Sequence, residues 1–288
     1  MIVPGSASQG LAAALADELG EPLAAVEYDR FPDGETFAAV PGFDADRAVV
    51  VATTDSNDAW IELLQLQDAV REAGASEVVT VLPYMSYARQ DRAFEPGEPV
   101  SARSMARAVS TGADRIVLVN PHEESISEFF ECHVAICDAA GRLAEPLPAD
   151  LTDPLFLSPD AGAIDLASAT RDAYGAGGTD HFEKTRHSGT EVEIAPSDAD
   201  TAGRDVVIVD DIVATGSTMS EAVAHLDADG AERVYAACVH PLLARDARTK
   251  LERAGIERIV GTDTIERDVS AVSVAPLVAS AVDAVESA

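Results

Sequence analysis

The chain has 288 residues, enough for two ordinary domains, and its 47% hydrophobic content can fill two cores, which excludes extensive disorder. Its 51 acidic residues outnumber its 20 basic ones, and the net charge of -31 disfavours nucleic acids and anionic membranes as partners. The chain begins without a basic and apolar leader and holds no long apolar run, so we expect a cytoplasmic protein with no membrane partner. Three cysteines, an odd number without paired spacing, do not indicate disulfides or a zinc site.

Short apolar runs alternate with amphipathic segments, which predicts an α/β fold with parallel sheets. Helices are predicted over 57–74 and 217–230, each of which ends on a glycine. The Pro-rich stretch 145–154 separates two halves, so we predict one domain over 1–141 and a second over 142–288. The predicted strands cover 48–52, 78–82, 115–119, 206–209 and 233–239.

Three polar segments of the first half have a possible function. Residues 31–35 read Phe-Pro-Asp-Gly-Glu, which by itself indicates only a turn. The segment 83–92 follows a predicted strand, and its Arg89 and Gln90 can hydrogen-bond the phosphates and base of a nucleotide. The segment 98–107 predicts a helix that begins at a serine cap, and its role is mainly structural.

Two further residues follow predicted strands or turns and are candidate metal ligands. His122 comes just after the strand at 115–119, where a ring nitrogen could bind Mg²⁺ or a phosphate, although a single histidine often only makes an ordinary hydrogen bond. Asp160 lies in a Ser-Pro-Asp-Ala-Gly turn and is a hard oxygen ligand of the type that Mg²⁺ prefers. The alternative that this segment is a simple aspartate turn remains open.

Lysine occurs only at positions 184 and 250. This acid-rich, lysine-poor composition resembles proteins of halophiles that accumulate salt, and molar salt would screen the carboxylate repulsion. Lys184 and Arg186 follow the Gly-rich stretch 173–180, which is predicted to be the base of a flexible excursion or a surface turn. Two cations on such an excursion could close over a transferring phosphoryl group.

The most informative segment is 206–219, an apolar strand followed by two acids and a Gly-hydroxyl turn that opens a helix. Asp210 and Asp211 can accept hydrogen bonds from the vicinal hydroxyls of a ribose. Backbone N–H groups and hydroxyls at the helix N-terminus can surround a phosphate, although Thr215 or Ser217 could instead only cap the helix. The predicted phosphate-binding residues are Thr215, Gly216, Ser217 and Thr218.

The segment 206–219 resembles the phosphoribosyl diphosphate loop of type I phosphoribosyltransferases and their relatives. Further segments, spread over most of the chain, resemble motifs of the ribose-phosphate pyrophosphokinase family. In Asn120-Pro121-His122 only the histidine matches that family, and Glu128 also departs from it. The segments with this resemblance are 31–35, 83–92, 98–107, 158–162 and 184–186.

The resemblance implies a fold and a set of sites. Both domains would be type I phosphoribosyltransferase-like, each with a mainly parallel sheet flanked by helices, and only the second would keep the sugar-phosphate loop. Asp210, Asp211 and the loop would bind ribose 5-phosphate, Lys184 and Arg186 would be catalytic, and Mg²⁺ would be held by His122 and Asp160. The implied ATP-binding residues are Phe31, Asp33, Glu35, Arg89, Gln90, Asp91 and His122.

The same resemblance implies transfer of the diphosphoryl group of ATP to ribose 5-phosphate, which yields phosphoribosyl diphosphate for nucleotide biosynthesis. It also implies a homo-oligomer built from dimers, in which residues 31–35 complete a neighbour's ATP site. Two alternatives remain. A phosphoribosyltransferase would share the loop at 206–219 but would not explain segment 83–92, and a non-catalytic regulatory paralogue would be expected to lose the residues at 184–186.

Overall fold

A computed structural model describes the backbone of residues 1–186, 192–196 and 199–284, and the side chains of 1–183 and 199–284. The chain divides into two compact units. The first contains Met1–Asp138, Thr264–Glu266 and the residues from Ser273 on, and the second contains Ala139–Asp263 and Arg267–Val272. The domain boundary at 141/142 stays a prediction.

Strands and helices alternate through both units. The strands are β1 (Ile2–Pro4), β2 (Glu27–Arg30), β3 (Thr36–Ala39), β4 (Arg47–Val51), β5 (Glu77–Leu82), β6 (Arg115–Val119), β7 (His133–Cys137), β8 (Leu155–Ser158), β9 (Gly178–Arg186), β10 (Val192–Pro196), β11 (Asp205–Ile212), β12 (Arg233–His240), β13 (Arg258–Thr262) and β14 (Ser270–Val272). The helices are α1 (Gln9–Leu19), α2 (Asn57–Glu72), α3 (Ser101–Ser110), α4 (Ile164–Tyr174), α5 (Ser217–Ala228), α6 (Ala247–Arg253) and α7 (Ala275–Asp283).

The first unit is built on a parallel sheet with the strand order β1-β4-β5-β6-β7. Helix α2 shows why the local sequence predicted it. Trp60, Leu63, Leu66 and Val70 recur at helical spacing and are all buried, while Ser56 Oγ accepts the N–H of Ala59 at 3.1 Å. The predicted strands and helices of this half are confirmed. Strands β2 and β3 form a separate antiparallel hairpin.

The second unit is built on a sheet with the order β10-β9-β8-β11-β12-β13-β14, in which only β10 runs antiparallel to its neighbour. Strand β11 pairs with β8 on one side and β12 on the other. Residues Val206–Val209 are buried because this strand is central, which accounts for their uninterrupted apolar run. The predicted strands at 206–209 and 233–239 and the helix that begins at Ser217 are confirmed.

The last helix belongs to the first unit, although the sequence placed it with the second half. Helix α7 contacts α1, β6 and β7 and buries Val278 and Val282. The Cys137 thiol lies 3.7 Å from the carbonyl oxygen of Leu277. An apolar helix stripe does not specify which sheet it covers, so this pairing could not be predicted from local pattern.

One local prediction differs from the structure, and of the two alternatives for the Gly-rich stretch the surface turn is the one observed. Helix α3 has Val100 at its N-cap without a side-chain cap, so Ser101 does not cap it. The Gly-rich stretch is a tight helix-to-strand connection in which Gly175 ends α4 and β9 begins at Gly178. Gly177 has a φ of 102°, and a Cβ atom there would lie 2.3 Å from the carbonyl oxygen of Pro154, so only glycine fits.

An ion pair between a buried carboxylate and a partly exposed arginine joins three segments at the amino edge of the second sheet. Asp205 is fully buried and accepts hydrogen bonds from Arg233 Nε at 2.8 Å, Arg233 Nη2 at 2.5 Å and the N–H of Thr152 at 2.6 Å. Burial by itself would raise the pKa of Asp205, but the hydrogen bonds and charge of Arg233 outweigh burial and lower the pKa below its usual value.

We expect Asp205→Ala to destabilise the protein, because it removes a fully buried acceptor and leaves the N–H of Thr152 and the Arg233 guanidinium without their hydrogen-bond partner. The lowered pKa means that the stabilisation by Asp205 is present above the unfolded-state pKa and is lost as the pH falls through the folded-state pKa. Chemical denaturation in molar KCl at neutral and acidic pH measures both effects. Asp153→Asn is the control, since its side chain is 72% exposed in its pair with Arg204, and an equal effect in both variants would contradict this prediction.

Candidate functional site

Three acidic residues meet at the carboxyl edge of the second sheet. Asp210 and Asp211 lie at the end of β11, and Asp160 follows β8, the neighbouring parallel strand. The N–H of Asp211 donates to Asp210 Oδ1 at 2.9 Å, and the N–H of Gly162 donates to Asp160 Oδ1 at 3.0 Å. The predicted ribose ligands and the predicted metal ligand of this unit therefore share one edge of the sheet.

This arrangement raises the pKa of Asp210 well above the usual aspartate value. Burial of the carboxyl group is the largest cause, and the negative charges of Asp211 and Asp160 act in the same direction. A bound cation or a pair of sugar hydroxyls would favour the ionised form, so the site has the electrostatics of an incomplete binding site.

The turn after β11 has the geometry of an anion site. Gly216 is the N-cap of α5 with a φ of 68°, and no side chain caps this helix, so neither Thr215 nor Ser217 has a capping role. Thr215, Ser217 and Thr218 are exposed. The first N–H groups of a helix have no intrahelical acceptor, and they and the helix dipole favour a bound phosphate.

A segment that the sequence did not single out supports this turn. The N–H of Leu243 donates to the carbonyl oxygen of Val213 at 2.8 Å. The N–H of Ala244 donates to the carbonyl oxygen of Ala214 at 2.9 Å. A Cβ atom on Gly216 would lie 3.2 Å from the carbonyl oxygen of Ala247. Backbone contacts of this kind carry no signature in the sequence.

The first unit has a cleft of about 500 Å³ in the loop after β5. Arg89 and Gln90 line it, as expected for a nucleotide-binding segment, whereas Asp91 does not. Three aromatic rings contribute to its wall. The lining residues are Tyr84, Met85, Tyr87, Ala88, Arg89, Gln90, Phe94 and Glu98.

The remaining candidates of the first unit lie outside this cleft. Residues 31–35 form the tip of the β2–β3 hairpin, where the N–H of Phe31 donates to the carbonyl oxygen of Glu35 at 2.8 Å. Phe31 is 49% exposed, and Asp33 and Glu35 are exposed. His122 follows β6 and is also exposed.

The predicted catalytic pair lies at the end of β9. The backbone of Lys184 pairs with Ile194 and that of Arg186 with Val192, so both residues belong to a β-ladder. Their side chains lie outside the described residues.

The donor set at the second sheet fits Mg²⁺ as part of a larger coordination sphere. Within the side chains that the structure describes, no group of three or more His, Cys, Asp or Glu residues forms a ready metal site. Protein-bound Mg²⁺ commonly uses one or two carboxylates and completes its shell with water and substrate phosphates. Asp160, Asp210 and Asp211 supply hard oxygen donors of that kind.

In the described part of the chain, no helix has the length and apolar content needed to span a membrane.

The fold defines a protein of phosphoribosyltransferase type. Residues 131–276 match the family model described as phosphoribosyl transferase domain. Residues 1–112 match the model described as the N-terminal domain of ribose phosphate pyrophosphokinase. The chain belongs to the ribose-phosphate pyrophosphokinase family.

Individual relatives resemble the chain over nearly its full length. A ribose-phosphate pyrophosphokinase of Halobacterium salinarum is 64% identical over 98% of this chain and 100% of its own. One of Methanosarcina acetivorans is 43% identical over 97% of this chain and 98% of its own. The crystal structure of phosphoribosylpyrophosphate synthetase from Mycobacterium smegmatis has a TM-score of 0.84 at 30% identity and covers 100% of this chain and 98% of that one. The predicted family and fold are confirmed.

Proposed function

We propose that the protein transfers the diphosphoryl group of ATP to the anomeric hydroxyl of ribose 5-phosphate, giving phosphoribosyl diphosphate and AMP. The observation that carries the proposal is the carboxyl edge of the second sheet, where paired acids adjoin an uncapped helix N-terminus. The acids suit a ligand with vicinal hydroxyls, and the helix N-terminus suits a phosphate. A small molecule that carries both is a sugar phosphate. The Arg89–Gln90 cleft supplies a candidate site for the second substrate in the same chain.

Each part of the sugar site has a role in this reaction. Asp210 and Asp211 accept hydrogen bonds from the ribose hydroxyls, and the 215–218 turn binds the 5-phosphate. The anomeric oxygen attacks the β-phosphorus of ATP, and the bond between that phosphorus and the bridging oxygen of the α-phosphate breaks. The attacking hydroxyl releases its proton to water, and AMP departs with the bridging oxygen. Positioning and charge neutralisation account for most of the catalysis, so no protein nucleophile is needed.

The cationic groups act where negative charge develops. Lys184 and Arg186 would stabilise the charge on the transferring group and on the leaving oxygen. Mg²⁺, when bound, would neutralise phosphate charge. Asp160 in the second unit and His122 in the first unit are the proposed metal-binding residues. The proposed nucleotide ligands beyond Arg89 and Gln90 are Phe31, Asp33, Glu35, Asp91 and His122.

The hairpin tip supports a homo-oligomer built from dimers. Phe31 and Phe37 are 49% and 40% exposed, and their rings contact each other edge to face at 5.6 Å. Neither residue lines the Arg89–Gln90 cleft of its own unit. Exposed aromatic rings at a hairpin tip suit a role in a neighbouring subunit's site.

Two alternatives explain fewer features. A phosphoribosyltransferase would use the 210–218 site but leaves the Arg89–Gln90 cleft unexplained. A non-catalytic regulatory paralogue would not need Lys184 and Arg186. Both alternatives predict no net formation of phosphoribosyl diphosphate from ATP.

The nucleotide product tests the proposal. We expect phosphorus NMR of the protein with ATP, ribose 5-phosphate and Mg²⁺ in molar KCl to show AMP and phosphoribosyl diphosphate appearing together. High salt is used because the net charge of -31 predicts a salt-dependent fold. ADP as the nucleotide product would indicate a sugar kinase instead. Omission of Mg²⁺ and addition of a chelator should stop the reaction if the metal is required.

A further inference from the structure

The loop that follows β5 is fastened at its start to the segment that leads into α2. The carbonyl oxygen of Tyr84 accepts the backbone N–H of Thr54 and the hydroxyl of Thr54, each at 3.0 Å. The hydroxyl oxygen of Thr54 in turn accepts the N–H of Ser86 at 3.2 Å. Thr54 is fully buried, so water does not compete for these bonds. They fix the backbone of the loop as far as Ser86.

Trp60 of α2 makes the next contact with this loop. Its indole N–H donates to Ser86 Oγ at 2.8 Å, and the residue is only 5% exposed. The ring packs in the hydrophobic core of the first unit, so α2 sets its position. An indole has one donor and no acceptor, and a buried donor that lacks a partner costs free energy. The bond therefore joins a fixed group in the core to a residue of the loop.

The residue after Ser86 has a strained backbone. Tyr87 has a φ of 64°, in the left-handed region that a bulky side chain rarely adopts and that costs free energy. Its hydroxyl donates to Asn57 Oδ1 in the first turn of α2 at 2.5 Å. Its carbonyl oxygen accepts the N–H of Gln90 at 3.1 Å, which closes a turn. The hydrogen bonds to α2 on both residues offset the cost of this conformation.

We infer that Trp60 and Ser86 are positioning residues, which hold the loop in the conformation that lines the cleft of the first unit. Neither residue lines the cleft, whereas Tyr87, Arg89 and Gln90 do. This inference rests on the proposed function, which makes the cleft the nucleotide site. A loop that is already held in its binding conformation loses less conformational entropy when a ligand binds. Loss of the Trp60–Ser86 bond should therefore weaken nucleotide binding without altering the sugar-phosphate site.

A double-mutant cycle on this bond tests the inference. Ser86→Ala removes the acceptor, and Trp60→Phe removes the donor but keeps an aromatic ring. We expect each change to raise the Kd for ATP, measured by titration calorimetry with Mg²⁺ in molar KCl, by about three- to tenfold. The double variant should bind ATP no more weakly than Trp60→Phe alone, because both changes remove the same bond. The KM for ribose 5-phosphate should change by less than about twofold.

Trp60 also supplies a spectroscopic readout, because it is the only tryptophan in the chain. An indole that donates a hydrogen bond fluoresces at longer wavelength than one that does not. The emission of ligand-free Ser86→Ala should therefore shift to shorter wavelength. Ser86→Thr keeps the hydroxyl, so it should retain both the emission and the ATP affinity of the wild type. A Ser86→Thr protein that binds ATP as weakly as Ser86→Ala would overturn the role of the hydroxyl.

Ser76→Ala is the matched control, because it removes an exposed hydroxyl at the opposite end of β5. Ser76 Oγ donates to the carbonyl oxygen of Asp46 at 3.1 Å, and its loss should leave the Kd for ATP unchanged. Unchanged ATP affinity in the Trp60 and Ser86 variants, or additive effects in the double variant, overturns the inference. An equal rise of KM for both substrates also overturns it, since that would show a general loss of structure.

The binding measurements do not depend on turnover. A wild-type protein that binds ATP and forms no AMP would contradict the proposed function, while a non-additive cycle in the same protein would still support the positioning role. A wild-type protein that forms AMP, with variants that bind ATP normally, would contradict the positioning role alone.

Discussion

Replacing Asp210 and Asp211 together with asparagine should lower kcat/KM for ribose 5-phosphate by about a hundredfold or more. Each carboxylate is expected to accept a charge-assisted hydrogen bond from a ribose hydroxyl, and loss of such a bond costs about 1.5–3 kcal/mol. Loss of both bonds raises the activation free energy for kcat/KM by at least about 3 kcal/mol. That increase corresponds to a decrease in kcat/KM of about a hundredfold or more. Steady-state assays at varied ribose 5-phosphate, with ATP held at saturation, measure this effect.

The same double substitution should stabilise the ligand-free protein. The pKa of Asp210 is raised by burial and by Asp211 and Asp160, so the ionised form is disfavoured in the folded state. The folded protein therefore holds a proton that the unfolded chain releases, and wild-type stability decreases as the pH rises from the unfolded-state pKa through the folded-state pKa. The double variant lacks this contribution, so its Tm at neutral pH should be higher.

The combination of lower activity and higher stability separates a binding site from a structural pair. Asp227→Asn with Asp229→Asn is the control, because both acids are exposed at the far end of α5 and the same formal charge is removed. The control should keep normal kcat/KM. A double variant at Asp210 and Asp211 that retains full activity would show that the sugar site is assigned wrongly.

Lys184→Ala should lower kcat by about 10²–10³-fold with little change in the KM of either substrate. A cation that meets the transferring group mainly in the transition state contributes to turnover and not to ground-state binding, and loss of one such donor has an effect of this size. Lys184 lies on β9, where its backbone pairs with Ile194 of the antiparallel edge strand β10. Pre-steady-state measurement of AMP release would show whether the slowed step is the transfer itself.

Lysine is rare enough in this chain to provide a direct control. Lys250 is the only other lysine, and its ammonium group pairs with Asp246 at 3.1 Å on the surface of α6. Lys250→Ala removes the same charge and should leave turnover unchanged. If Lys184→Ala instead raises KM at normal kcat, Lys184 binds the ground state and is not a transition-state group.

Much of the fold followed from local sequence because the relevant signals are short in range. The period of apolar residues in 57–72 fixes a helix with one buried face, and the uninterrupted run at 206–209 indicates a strand covered on both sides. The candidate sugar-phosphate site could be proposed from the sequence for the same reason. Its strand end, its two acids and its glycine turn are contiguous, so the residues that act together are also neighbours in the chain.

The tertiary structure decided what depends on residues that are distant in sequence or on the orientation of a side chain. Helix α7 covers the sheet of the first unit because its apolar stripe complements that face, which no local pattern encodes. The raised pKa of Asp210 arises partly from Asp160, which the sheet brings to the same edge from fifty residues earlier. Gly216 depends on the close approach of Ala247 as well as on its own φ. Ser101 does not have its expected capping role because it is the first residue of α3, and the Gln90 carbonyl accepts the N–H of Ala102 in that first turn. In each case the energy comes from packing, from desolvation or from a hydrogen bond made through space, and these exist only after the chain has folded.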